Sequence, residues 1–170
     1  YIGPENASVV FIEVGCYQCP RTKEAQPAVK EIIKDYDGKI KFVFVDFPIE
    51  SVHPDAWTSA EATECADEQG KFWEYGDKLF ENQNSLSVSD LKKYAKDVGM
   101  DTEKFNECLD SGRMSAEVQK DIDDGAKMGV RGTPFFLVGK GSISGSCPFS
   151  TFDQSTKAEL EGKSWTVTDC

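Results

Sequence analysis

Two cysteines three positions apart stand where a strand pattern gives way to a helix pattern, and this junction restricts the fold more than any other stretch. The run SVVFIEV, residues 8–14, is short, apolar and rich in β-branched residues, which is typical of a buried strand. From Pro20 onward the pattern changes to helical spacing. The apolar residues at that spacing are Ala25, Ala28, Val29, Ile32 and Ile33. Cys16 and Cys19 are therefore predicted to lie at a strand-to-helix turn.

The rest of the sequence predicts the strands and helices that follow this junction. Residues 39–47, KIKFVFVDF, read as a second strand, and two strands joined by a helix form a βαβ unit with a parallel pair. Residues 53–128 carry helical periodicity without a convincing strand, which predicts an all-helical insertion. Strand signals return at residues 135–138 and 142–144 around a Gly-Lys-Gly turn, and a last helix follows from Pro148.

The predicted element order is βαβ, then helices, then ββα. This order is that of an α/β protein with a thioredoxin fold whose two halves are separated by an inserted all-helical domain. We therefore expect a discontinuous thioredoxin-fold domain at residues 1–52 and 129–170, and a helical domain at 53–128. At 170 residues the chain is long enough to bury a core without disulfides, so its cysteines need another explanation.

Composition restricts the partners and the compartment. The 30 acidic and 19 basic residues give a formal net charge of -11, which disfavours binding to nucleic acid and to anionic membrane surfaces. No apolar run approaches the roughly 20 residues of a membrane-spanning helix. Six cysteines fit an oxidising compartment. We expect an extracytoplasmic domain, in the periplasm or at the outer face of the membrane, whose signal peptide or anchor is missing from this sequence.

Three interpretations of Cys16 and Cys19 are possible: a redox-active pair, a structural disulfide, or two of the ligands of a zinc site. Zinc requires about four ligands, whereas His53 is the only histidine and no second CxxC motif occurs. A cysteine at the first turn of a helix favours redox chemistry, because unpaired amides and the helix dipole stabilise a thiolate there, and we expect Cys16 to occupy that place. Cys16 is expected to exchange with substrate and Cys19 to resolve the mixed disulfide. No metal and no cofactor beyond this pair are expected.

Longer motifs connect the chain to a known family. They are GPENASVVFIEV before the cysteines, HPDAW, ECADEQGKFWEYGDKLFENQ, FNECLDSG and GVRGTPFFLVG. In this order and over about 140 residues, the chain resembles the DsbA-like thiol-disulfide oxidoreductases, particularly the branch found in Gram-positive bacteria and archaea. The resemblance implies a thioredoxin fold and disulfide exchange through the CxxC pair.

The chain departs from this family at two places near the cysteines. Relatives usually carry proline directly after the first active-site cysteine, whereas here the cysteines enclose Tyr17 and Gln18. Many relatives also place a carboxylate six residues before the first cysteine, where this chain has Val10. The nearest acid is Glu13. We therefore interpret Tyr17, Gln18 and Glu13 as candidates for tuning the redox properties of the pair.

The resemblance also assigns roles to residues far from the pair. It implies a cis peptide bond between Thr133 and Pro134 that presents backbone to an extended substrate. Relatives with these motifs tend to join the equivalents of Cys65 and Cys108, while two buried free thiols are the alternative. For Cys147 and Cys170 three states stay open: a bridge, a free or intermolecular Cys170, and a second redox pair.

The predicted function is the donation of disulfides to reduced, unfolded secreted proteins by a monomer. The resemblance implies reoxidation by a membrane partner of the DsbB or VKOR type. The same site working in reverse would make the protein a disulfide reductase or isomerase. A third alternative is a peptide-binding chaperone in which the CxxC pair is only structural.

Overall fold

The computed structural model describes residues 1–166 and 168–170. The chain divides into two compact units, each of which is discontinuous in sequence. The first consists of Tyr1–Gly15, Arg21–Val45 and Val130–Cys170, and the second of Cys16–Pro20 and Asp46–Gly129. The short segment that carries both active-site candidates therefore belongs to the second unit.

The first unit is built on a sheet of five strands in the order β2-β1-β3-β4-β5. Strands β1 and β3 pair antiparallel, as do β3 and β4, whereas β4 and β5 pair parallel. The strand bounds are β1 Val9–Gly15, β2 Ile40–Asp46, β3 Phe135–Val138, β4 Gly141–Ser144 and β5 Thr168–Asp169. Two helices lie in this unit: α7, Phe149–Leu160, and α1, Pro20–Asp35, of which only Pro20 is assigned to the second unit.

Aromatic side chains form the core of the first unit. Phe11 of β1 and Phe136 of β3 are fully buried, with ring centroids 5.9 Å apart. Phe152 of α7 lies 5.7 Å from the Phe11 ring and 4.6 Å from the Phe136 ring. The buried residues of β1 alternate in its first half, and its last three residues are all buried. The strand therefore ends inside the protein, directly before Cys16.

The second unit contains the five helices α2 to α6. Their bounds are α2 Ala56–Asp67, α3 Phe72–Glu81, α4 Val88–Asp97, α5 Thr102–Ser111 and α6 Ser115–Lys127. Tyr75 of α3 is fully buried, donates from its hydroxyl to the Leu91 carbonyl at 2.9 Å, and packs 5.3 Å from the Phe105 ring. Tyr75 thereby connects α3 with α4 and α5.

The predicted α/β fold with a helical insertion is confirmed. Residues 53–128, all of which the structure describes, form helices and no strand. Strand β5 was not predicted, because two residues are too short to show a pattern. It pairs with β4, and the Cys170 amide donates to the Ser144 carbonyl at 2.7 Å.

Candidate active site

Cys16 and Cys19 are the first and fourth residues of a tight turn between β1 and α1. The Cys19 amide donates to the Cys16 carbonyl at 3.0 Å. Such a turn brings the two end Cα atoms within about 7 Å. Disulfides span Cα separations of about 4.4–6.8 Å. The backbone therefore holds the two cysteines at a spacing that suits a reversible disulfide.

The start of α1 corrects the expected position of Cys16. We expected Cys16 at the first turn of this helix, but the helix begins at Pro20. Proline suits a first helical position because its fixed φ is helical and it lacks only an amide that the helix does not use. Cys19 directly precedes the helix. The unpaired amides and positive dipole end of α1 consequently lie beside Cys19 in the chain, with Cys16 three residues further away.

The two cysteines also differ in environment. Cys16 is 1% exposed and Cys19 7% exposed, and both pack with Ala56. Burial raises the pKa of the Cys16 thiol, and this effect exceeds the opposing effect of backbone hydrogen bonds from Ile49 and Gln18. Cys16 is thus disfavoured as a thiolate at neutral pH.

Gln18, one of the two enclosed residues, is fixed by a reciprocal pair of hydrogen bonds. Its side-chain amide donates to the Asp55 carboxylate at 3.0 Å, and the Asp55 backbone amide donates to the Gln18 side-chain oxygen at 2.8 Å. Gln18 therefore anchors the turn to the residue that precedes α2. This contact joins positions 37 residues apart, so no local sequence pattern indicates it.

Tyr17, the other enclosed residue, is buried against α3. Its ring centroid lies 4.9 Å from that of Phe80. A Cβ atom at Gly76 would come within 3.1 Å of the Tyr17 hydroxyl oxygen, so glycine leaves room for this ring. The burial of Tyr17 and the bonds of Gln18 show that both residues position the turn, whereas sequence reasoning considered them only as redox-tuning candidates.

Gln83 is a site residue that sequence reasoning missed. Its side-chain amide donates to two backbone carbonyls of the turn, those of Tyr17 and Cys19, each at 2.8 Å. Gln83 is buried, and it lies just after α3. One side chain therefore bonds two carbonyls of the turn, one of them the carbonyl of Cys19 itself.

We expect Gln83→Ala to lower the free energy of unfolding by about 1–3 kcal/mol, because it removes a buried donor that bonds two carbonyls of the turn. Urea unfolding measures this change. Gln119→Ala is the matched control, since Gln119 donates to Asp123 on the exposed surface of α6 and its loss should cost less than about 0.5 kcal/mol. Equal effects of the two substitutions would contradict a role for Gln83 in holding the turn.

Glu13 lies on β1 in the first unit and is fully buried. The Gln26 side-chain amide donates to its Oε1 at 2.7 Å, and Oε2 has no hydrogen-bond partner among the described residues. Burial raises the pKa of Glu13 to about 8, against a smaller opposing effect of the Gln26 bond. Glu13 is therefore mostly protonated at pH 7, and it can release or accept a proton as the pH passes through about 8.

This pKa predicts how Glu13 affects stability. The pKa of Glu13 is higher in the folded protein than in the unfolded chain. Its protonated form therefore contributes fully to folding stability below about pH 4.5, and this contribution is lost as the pH rises through about 8. Each pKa unit corresponds to about 1.4 kcal/mol, so the total is a few kcal/mol. Glu13→Gln should flatten the pH dependence and raise stability at pH 8 to 9. Urea unfolding of both proteins between pH 4 and 9 measures how the unfolding free energy depends on pH. The same pH dependence in Glu13→Gln as in the unmodified protein would contradict the raised pKa of Glu13.

Thr133 and Pro134 lie in the first unit, immediately before β3. Their peptide bond is cis. The Pro134 carbonyl accepts a hydrogen bond from the Gly145 amide at 3.0 Å. The role of both residues in presenting backbone to substrate stays a prediction.

The four other cysteines form two disulfides. Cys65 of α2 bonds Cys108 of α5 inside the second unit, and both are buried. Cys147 bonds Cys170 in the first unit, and this bond holds the chain end beside Gly145. Gly145 has φ of 91°, and a Cβ atom there would lie 2.9 Å from the Cys170 carbonyl carbon.

One group of carboxylates, also missed by sequence reasoning, could hold a metal ion. It consists of Asp46, Glu64 and Asp121 in the second unit, and it is the one such group found among the described residues. His53 does not belong to it. That residue lies in the loop before α2, where its carbonyl accepts a hydrogen bond from Ala56.

Comparison with known proteins identifies the family of the chain. Residues 1–158 match the thioredoxin family. The oxidised form of BdbD from Bacillus subtilis superposes with a TM-score of 0.84 at 27% identity, covering 95% of this chain and 92% of BdbD. The thiol-disulfide exchange protein α-DsbA2 from Wolbachia pipientis shares the fold, with a TM-score of 0.81 at 22% identity and coverage of 92% and 84%.

Sequence relatives carry a different name. The Na(+)/H(+) antiporter NhaA 3 of Salinispora tropica is 38% identical over 136 residues, which cover 80% of this chain. That match spans only 21% of the antiporter's own length. Within the part of the chain that the structure describes, no helix is long and apolar enough to cross a membrane. The family match and the superposition on BdbD agree: the chain belongs to the thioredoxin family, among the DsbA-like thiol-disulfide oxidoreductases.

Proposed function

We propose that this protein introduces disulfides into reduced extracytoplasmic proteins by exchange through Cys16 and Cys19. The observation that carries the proposal is the tight turn that places these two cysteines directly before α1. Oxidised, the pair forms one disulfide. A second, independent support is the superposition on the oxidised form of BdbD over 95% of the chain.

Within this proposal Cys19 is the sulfur that bonds substrate, the reverse of the order expected from sequence. Cys19 directly precedes the helix whose dipole stabilises a thiolate, whereas Cys16 is more buried and has a raised thiol pKa. A sulfur whose thiolate is stabilised is both a better attacking group and a better leaving group in the release of substrate from a mixed disulfide. Cys16 then serves as the resolving thiol.

The family resemblance supports the same order. If Cys19 is the first active-site cysteine, Pro20 follows it directly and Glu13 lies six residues before it, so both departures from the family disappear. The position three residues after Cys19 is then Thr22, which is fully buried and cannot resolve a disulfide. The resolving thiol of this chain therefore comes from the upstream side.

The proposed exchange has two steps. A substrate thiolate attacks Cys19 Sγ, the Cys16–Cys19 bond breaks, and Cys16 leaves with the electron pair and takes up a proton. A second substrate thiolate then attacks the substrate sulfur of the mixed disulfide, and Cys19 leaves as a thiolate. The substrate loses two electrons, and the protein gains them together with one proton on Cys16, while Cys19 is left as a thiolate. A membrane reoxidant of the DsbB or VKOR type would restore the disulfide, and the protein would act as a monomer.

The equilibrium reduction potential of the pair against glutathione tests the direction of transfer. A potential above about -180 mV supports a disulfide donor, whereas one below about -250 mV would mean that the protein is a reductase. A parallel assay mixes the oxidised protein with a reduced, unfolded model protein and counts substrate thiols. Loss of two thiols per protein molecule is expected. No loss, with peptide binding retained, would favour the chaperone alternative.

A further inference from the structure

A disulfide fastens the C-terminal segment, residues 161–166 and 168–170, to the rest of the first unit. It joins Cys170 to Cys147, which lies two residues before α7. Cys170 is exposed, whereas Cys147 is buried at 3% exposure. A thiol in solution therefore reaches this disulfide from the Cys170 side.

Cys147 lies at a helix start that favours an anionic sulfur. Cys147 and Pro148 precede α7 much as Cys19 and Pro20 stand at the start of α1. Helix α7 has 12 residues, and Pro148 supplies no side-chain acceptor for its first amides. These amides and the positive end of the helix dipole stabilise a thiolate beside them. Cys147 is therefore a good leaving group when a thiol attacks Cys170.

Little regular structure protects the disulfide on its exposed side. Strand β5 has two residues, which pair with Ile143 and Ser144 of β4. The Cys170 amide donates to the Ser144 carbonyl at 2.7 Å, and the exposed Arg21 guanidinium donates to the Cys170 carbonyl at 3.3 Å. Short, exposed stretches such as this one open far more readily than a packed core.

The disulfide of the second unit lies in the opposite environment. Cys65 and Cys108 are each 1% exposed, and they join helices α2 and α5. A thiol reaches that bond only after packed helices separate. Exposed disulfides are the ones that exchange readily, whereas buried structural ones resist reduction.

We propose that Cys147 and Cys170 form a second exchangeable disulfide, which reducing thiols open and whose opening frees the C-terminal segment from β4. The thiols are small molecules such as glutathione or the reduced cysteines of other proteins. One thiolate attacks Cys170 Sγ, the bond to Cys147 breaks, and Cys147 leaves with the electron pair. A second thiolate attacks the sulfur that the first contributed, and Cys170 leaves as a thiolate. Two thiols become one disulfide, and each protein thiolate takes up a proton from solvent.

Peptide mapping in graded mixtures of reduced and oxidised glutathione tests the proposal. Free thiols are alkylated and the protein is cut with trypsin, which places Cys147 on residues 141–157 and Cys170 on residues 164–170. We expect this bond to be half reduced at a reduced-to-oxidised glutathione ratio at least about tenfold lower than the Cys65–Cys108 bond requires. Equal or greater resistance of the Cys147–Cys170 bond would overturn the proposal.

The double variant Cys16→Ser with Cys19→Ser separates this reaction from the proposed function. It lacks the candidate redox pair, so it loses disulfide donation, but its Cys147–Cys170 bond should open at the rate seen in the unmodified protein. Loss of opening in this variant would mean that the Cys16–Cys19 pair is the reductant, and it would overturn direct attack by solution thiols.

Gly145 tests whether the position of the C-terminal segment protects the bond. A Cβ atom there would lie 2.9 Å from the Cys170 carbonyl carbon, so Gly145→Ala should displace Cys170 and speed opening at least about threefold. Gly38→Ala is the matched control, because Gly38 also has a positive φ, 72°, but no atom lies within 4 Å of its Cβ position. Equal opening rates in the two variants would contradict this protection.

Hydrogen exchange of the Cys170 amide, followed by NMR, measures release of the segment. This amide bonds the Ser144 carbonyl while β5 lies along β4. At the glutathione ratio that opens only the Cys147–Cys170 bond, its exchange should become at least about tenfold faster. Unchanged protection in the opened protein would show that the segment stays on β4, which would overturn the proposed release.

Discussion

Replacing Cys19 by serine is expected to slow attack on a substrate disulfide by about tenfold or more relative to replacing Cys16 by serine. The reason is that Cys19 precedes α1, where the helix end favours the thiolate, while the remaining Cys16 thiol is more buried and has a raised pKa. Each variant keeps one cysteine of the pair. Neither can hold the internal disulfide, so both lose disulfide donation entirely.

The rate of mixed-disulfide formation with oxidised glutathione, followed by mass spectrometry, separates the two roles. Reduced Cys16→Ser should form a stable adduct on Cys19, because the thiol that would resolve it is absent. The double variant without both cysteines is the background control. Faster adduct formation by Cys19→Ser would restore the order expected from sequence. Rates of both single variants at background would instead contradict exchange chemistry at this site.

Removing the disulfide between Cys65 and Cys108 is expected to cost about 4 kcal/mol of unfolding free energy, from the entropy of closing a loop with a sequence separation of 43. Both cysteines are buried, so paired alanine substitutions avoid burying new hydroxyl groups. Urea unfolding of the double-alanine variant measures the loss.

The disulfide between Cys147 and Cys170 provides the comparison. Its sequence separation of 23 gives about 3 kcal/mol in the same model, and Cys170 is exposed at the chain end. We expect the first disulfide to contribute more. A loss below about 1 kcal/mol for the Cys65 and Cys108 pair would show that helix packing, rather than the bond, holds α2 to α5.

Strand and helix patterns predicted much of the fold because they are local. The run at residues 8–14 indicated β1 and the spacing after Pro20 indicated α1, since side-chain periodicity follows backbone geometry within a few residues. Strand β5 has no such pattern. Its two residues form a strand only because the chain end is held along β4.

Some features of the candidate active site could likewise be predicted from the sequence, and others could not. The sequence by itself determined the pair of cysteines, its position between β1 and α1, and the family, because each depends on residue identity and short spacing. Which cysteine directly precedes the helix depended on the exact residue at which α1 begins. The tertiary structure alone decided the contacts of Gln83 with the turn and the convergence of Asp46 with Asp121, 75 residues away. These are contacts between distant segments, and only the packing of the folded helices brings their side chains together.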